Sequence, residues 1–127
     1  MAHHSRLAGF IIDCRTDDLD ASADFWSQAL GMPETDRYEE GSSVYAELDG
    51  SAHGMHIEVQ RVSHESRVHL DIETDDIDAE VERLEKLGAK RVAFVKRWWV
   101  MEAPSGQRFC VVKMKNPERG PAPTRWD

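Results

Sequence analysis

Cysteine is scarce in this chain: two in 127 residues, Cys14 and Cys110. Two thiols make no disulfide framework, and no C-x-x-C pair suggests a structural zinc site. An intracellular protein with reduced thiols is therefore expected. Basic residues are the minority charge. Against 24 Asp and Glu stand 16 Lys and Arg, a net charge of −8. No basic stripe is visible, so nucleic acid is not an expected partner. No apolar run is long enough to cross a bilayer, so no membrane partner is expected. The opening MAHHSRLAGF has no signal-peptide apolar core, and cytoplasmic placement is the expectation. His3 and His4 in that segment are assigned no chemistry.

What is present suffices for one compact domain with a real core. LAGFIIDCR (7–15) is apolar and β-branched, and reads as a strand. TDDLDASADFWSQALGM then changes period. Leu19, Ser22, Phe25, Ala29 and Leu30 lie near helical spacing, and Asp17 and Asp18 stand where a helix N-terminus favours carboxylates. Phe25 and Trp26 are expected in helix–sheet packing. Gly31 and Pro33 stop the helix. Extended pieces follow around PETDRYEE, SVYAELD and GMHIEVQRV. In the last, Met55, Ile57 and Val59 go to one face and His56, Glu58 and Gln60 to the other. The order then restarts. RVHLDIET reads as a strand, and DDIDAEVERLEKLGAK as a helix with Ile77, Val81, Leu84 and Leu87 or Gly88 on one face. RVAFV, WWVMEA and QRFCVVKM supply three more strands. The tail NPERGPAPTRWD should be extended and partly mobile, or lie over a neighbour.

The two halves also repeat in sequence. DCRTDDLDA (13–21) and DIETDDIDA (71–79) align without a gap at an offset of 58, from 13 to 71. Both helices end in Leu-Gly. Such a repeat means two copies of one βαβββ unit, neither able to bury its strand face alone.

The segments DDLDASADFWSQALGM, HLDIETDDIDAEVERLEKLGAK and APSGQRFCVV resemble the vicinal oxygen chelate superfamily of glyoxalases, extradiol dioxygenases and bleomycin-resistance proteins. The wording is closest to its glyoxalase-like domains. The resemblance covers roughly residues 7–114, with Ala103 and Gln107 as departures from the turn pattern before the last strand. It implies an α+β fold: two tandem βαβββ modules, roughly 7–62 and 66–114, curled into a cup with the helices outside. Residues 1–115 would form one domain and 116–127 an extended tail. It also implies a homodimer.

The resemblance places metal ligands on the first and last strands of each half. The matching positions are Ile11, Glu58, His69 and Cys110. Isoleucine cannot bind a cation, and thiolate suits softer metals than the oxygen and nitrogen sites of this family. Two functions follow. The first is a protein that binds a small organic molecule in the cup, without the inherited four-ligand metal. His56, His69, Asp71, Trp98, Trp99 and Cys110 would be its contacts. Cationic ligands of the bleomycin-resistance kind would suit the acidic charge. The alternative is a divalent-metal lyase, isomerase or dioxygenase, with Glu58 and His69 as ligands beside His56 or Asp71. In it Glu58 is the candidate general base. Asp13 and Asp71 occupy equivalent places, which repeat symmetry alone would produce. Of Trp98 and Trp99, one should enter the core and the other the cup or an interface. Cys14 should face the core and Cys110 the cup, so they should not pair.

Overall fold

The T-D-D-x-D repeat is a helix-start device used twice. A computed structural model describes residues 2–40 and 43–127. In it Asp18 caps helix α1 (Leu19–Leu30) and Asp76 caps helix α2 (Ile77–Lys86). Each carboxylate accepts the N–H three residues on, Ala21 or Ala79, at 3.1 Å. Thr16 and Thr74 stand two residues before these caps. Their hydroxyls accept the Asp18 and Asp76 N–H groups at 3.0 and 3.1 Å. Each turn thus satisfies donors that a helix start leaves open. After α1, Gly31 takes the left-handed conformation (φ 69°) and turns the chain.

The fold is α+β, with nine strands among the described residues. They are β1 (His3–Arg15), β2 (Glu34–Glu40), β3 (Ser43–Leu48), β4 (His56–Val62), β5 (Arg67–Thr74), β6 (Lys90–Val95), β7 (Trp98–Glu102), β8 (Arg108–Lys113) and β9 (Thr124–Trp126). The chain forms two compact units, each with one helix.

The first module is Phe10–Val68, with strand order β2-β3-β4-β1. Strands β2, β3 and β4 are antiparallel, with Tyr38 opposite Tyr45 and Glu47 opposite Glu58. Helix α1 covers one face. Leu19 and Ala23 bury against Ala46, Leu48, Ile57 and Val59, with Phe10, Cys14, Trp26 and Met55 at the margin. The β4 alternation is therefore as expected. Phe25 corrects an expectation: it is 60% exposed, because Leu19, Ala23 and Trp26 form the inward stripe and Phe25 lies beside it.

The second module comprises His69–Asp127 and the chain up to Gly9. Its strand order is β1-β5-β8-β7-β6, with β9 also on β1. Strands β5 and β8 run parallel and pair Asp71 with Cys110; β8, β7 and β6 are antiparallel. Val81 and Leu84 of α2 bury against Met101 and Val111, with Ile72, Trp99 and Phe109 alongside. Leu87, the last residue of the expected stripe, is exposed.

This unit gathers residues from both ends of the chain. β1 is 13 residues long, and its first residues join the second module. The reason is a polar cluster. Glu80 of α2 is fully buried; it takes both Arg83 nitrogens at 2.8 Å and contacts His3 Nε2 at 2.8 Å. Burial alone would push its carboxyl up, but the hydrogen bonds from Arg83, His3 and Ser5 outweigh this and hold it below the usual range. The tail is tied to the same cluster. β9 pairs His3 with Trp126, the Trp126 indole donates to Ser5 Oγ at 2.8 Å, and Arg83 lies 3.8 Å over the Trp126 ring. Arg6 binds Glu73 at 2.6 Å and donates to the carbonyls of Asn116, Pro117 and Pro121. His3 therefore has a structural role that composition could not assign. So does His4, whose N–H and ring both reach Asp75.

Candidate functional site

The chemistry lies on the sheet face that each helix leaves open. In the first module, Ile57 and Val59 face α1, so alternation turns His56, Glu58 and Gln60 to the other side. There Glu58 is buried, 5% exposed. It accepts from the Tyr38 hydroxyl, and His56 Nε2 is 2.9 Å from its other oxygen. The other His56 nitrogen lies 3.6 Å from Glu47. Two carboxylates directly opposite on neighbouring strands repel. His56 lies against both carboxylates.

Tyr38 and Tyr45 stack at 5.0 Å and an interplanar angle of 20°. Gln60 donates to the hydroxyls of Tyr45 and Ser43, each at 3.3 Å. Burial pushes the Tyr38 phenol up, and the hydrogen bond and charge of Glu58 push it the same way. Tyr38 therefore stays protonated, a fixed donor to Glu58 wherever that carboxylate is ionised. Phe10 and Cys14 face α1, which sends Ile11 and Asp13 to the open side. Asp13 is buried, with Arg67 Nε 3.8 Å away.

In the second module, His69 and Asp71 share one face of β5, and register sets Cys110 opposite Asp71. Their ligating atoms all lie within 4.8 Å of one another, and His69 Nε2 is 3.7 Å from Asp71. Among the described residues this is the one group of three His, Cys, Asp or Glu side chains gathered closely enough to hold a metal ion. Val100 pairs with Cys110 from β7, which puts Trp98 on this face as well. Trp99 points the other way, into the α2 cluster, beside Phe94 and under Arg91. Only one of the two tryptophans is available to a ligand on the Cys110 face. Both cysteines are free, and burial pushes the Cys14 thiol up.

The sequence-level site residues thus fall into two groups: His56 with Glu58, and His69 with Asp71, Cys110 and Trp98. Sequence reasoning missed Tyr38, Tyr45 and Glu47. The alternation in SVYAELD could have placed Tyr45 and Glu47 on one face. Tyr38 needed the β2–β3 register.

The glyoxalase-like domain family profile matches residues 9–112. This chain belongs to that family. Solved structures share its fold. A hypothetical protein from Bacillus halodurans C-125 is 12% identical, with 87% of this chain and 95% of that one covered and a TM-score of 0.66. Methylmalonyl-CoA epimerase from Mycobacterium tuberculosis is 18% identical, covering 86% and 87%, with a TM-score of 0.59. A glyoxalase/bleomycin resistance protein/dioxygenase superfamily member from Vibrio splendidus 12B01 is 16% identical, covering 87% and 99%, with a TM-score of 0.55. No curated protein matches the chain. At these identities the likeness speaks for the fold alone.

The four metal positions implied by the superfamily do not fit such a metal here. Ile11 is a buried hydrocarbon, 3% exposed, with nothing to donate to a cation. Glu58 is engaged by Tyr38 and His56. Cys110 brings a soft thiol where a hard oxygen site is wanted.

Proposed function

We propose that this glyoxalase-like protein binds a small organic molecule, and that the ligand is a cation with an aromatic or apolar body. The observation that carries this reading is Glu58, a buried carboxylate held by Tyr38 and His56 beside the stacked pair Tyr38–Tyr45. A buried carboxylate is costly unless an opposite charge answers it. Aromatic faces next to carboxylates attract organic cations by charge and by ring quadrupole. Glu47 and the net charge of −8 favour the same sign of ligand. The protein works as a cytoplasmic homodimer, as the family resemblance implies.

Thermal-shift titration with benzyltrimethylammonium tests the reading, with benzyl alcohol as its neutral counterpart. The cation should raise Tm and benzyl alcohol should not. Glu58→Gln should abolish the rise. An equal response to both probes, or a rise that survives in Glu58→Gln, would count against the proposal.

The second reading is an enzyme in which Glu58 moves a proton as general base. It draws on the same geometry, since a carboxylate with one face held by a permanent donor is well oriented for that task. A divalent-metal lyase, isomerase or dioxygenase using Glu58 and His69 would need the Ile11 position to carry a ligand or be bypassed. Activity that survives exhaustive chelation would separate a metal-free enzyme from it.

A further inference from the structure

We propose that copies of this chain assemble head to tail, the basic outer strand β6 of one copy docking on the acidic outer strand β2 of the next. The contact is separate from the ligand reading above and does not rest on it.

The strand orders supply the two surfaces. β2 ends the order of the first module, and β6 ends that of the second. Among the described residues β2 pairs with β3 alone, and β6 with β7 alone. Each strand therefore turns one row of backbone N–H and C=O groups outward, the template on which another strand can add. β6 is exposed along its whole length, Val92, Phe94 and Val95 included. Apolar side chains gathered on such an edge favour a covering partner.

Charge selects that partner. Residues 86–97 hold Lys86, Lys90, Arg91, Lys96 and Arg97 and no Asp or Glu, in a chain of net charge −8. β2 holds Glu34, Asp36, Glu39 and Glu40 against Arg37, which is itself bound by Glu34 and Asp20. On β6 the cations flank an apolar centre, residues 92–95; on β2 the carboxylates flank Arg37 and Tyr38. Pairing in either direction thus sets cations against carboxylates at both ends. Two β6 edges would oppose cation to cation, and two β2 edges carboxylate to carboxylate, and like charges facing across strands are destabilising. Repulsion and attraction specify the same match, β6 with β2. Each edge also carries a register irregularity, between Glu34 and Asp36 and between Arg91 and Ala93. Such bulges shorten the backbone ladder that a partner strand can form. The exposed charges therefore carry much of the contact, and salt should weaken it. Because the two surfaces are unlike, copies add until a ring closes.

Sedimentation velocity of the full chain tests this, over a concentration series in about 0.05 M and about 0.5 M sodium chloride. Species above monomer should form at low salt, and apparent association should weaken by at least about tenfold at high salt. Hydrogen exchange at low and high protein concentration should show protection gained together at residues 34–40 and 90–95. Lys90, Lys96, Asp36 and Glu39 are all exposed, so reversing their charges leaves the core intact. Lys90→Glu with Lys96→Glu, and Asp36→Lys with Glu39→Lys, should each lose the salt-sensitive assembly while keeping a cooperative thermal transition. Mixed one to one, the two variants should regain it. A monomer throughout, a mass indifferent to salt, protection gained at neither edge, or a mixture that stays apart would each overturn the proposal. A dimer that persists unchanged in both variants would also overturn it, and would leave the homodimer reading standing.

Discussion

Tyr38 and Glu58 meet side chain to side chain across β3, from β2 to β4, twenty residues apart in sequence. The phenol is held protonated, and the carboxylate is buried. Tyr38→Phe removes this donor and leaves His56 as the remaining contact named for Glu58. Loss of a hydrogen bond to a buried charged group costs about 1–3 kcal/mol. Urea denaturation should read a loss in that range, and benzyltrimethylammonium should bind less tightly. Unchanged stability and binding would mean that the contact does not hold Glu58.

Glu80 is a second buried carboxylate, with a structural task. Removing one member of a buried charged cluster leaves its partners uncompensated, so Glu80→Ala should destabilise by about 3 kcal/mol. The pH dependence has a definite sign. The folded carboxyl lies below its ordinary value, and an unfolded glutamate titrates near about 4.3. Stabilisation by Glu80 is therefore full above the unfolded value and lost as pH falls through the folded one. The stability gap between wild type and Glu80→Gln should be wide at neutral pH and narrow in acid. A gap that is constant down the acid limb would contradict the assignment.

Trp126 anchors the chain's end. It donates to Ser5, and Arg83 stacks on its ring. Trp126→Ala should cost about 1–2 kcal/mol, from lost ring burial and the cation–π contact. Hydrogen exchange should then speed up at residues 3–5, which pair with β9. Protection there at wild-type levels would show that the tail contributes nothing to holding β1.

The facing of α1 is open to a simple comparison. Phe25 is largely exposed and Ala23 is buried. Phe25→Ser should change stability by no more than about 0.5 kcal/mol. Ala23→Leu should cost about 1–3 kcal/mol, since extra methylenes enter a filled cluster. The reverse order would place Phe25 inside.

Much of this was readable from the chain alone. The offset repeat gave both helix starts, because a capping aspartate acts on a donor three residues away and needs nothing else. Period-two alternation put His56 with Glu58, and His69 with Asp71, on shared faces, because pleating decides that locally. The repeat also showed that the superfamily's first ligand position is Ile11. Tertiary structure decided the rest. Tyr38 reaches Glu58 only through the pairing of three strands, and Cys110 meets Asp71 only through a parallel ladder between segments nearly forty residues apart. Glu80 looked like one more solvated helix charge until His3, Arg83 and Ser5 were found around it. A sequence states which side chains share a face of one element. Which elements stand side by side is set by hydrogen-bond register and burial over the whole chain, and there this protein's candidate chemistry was assembled.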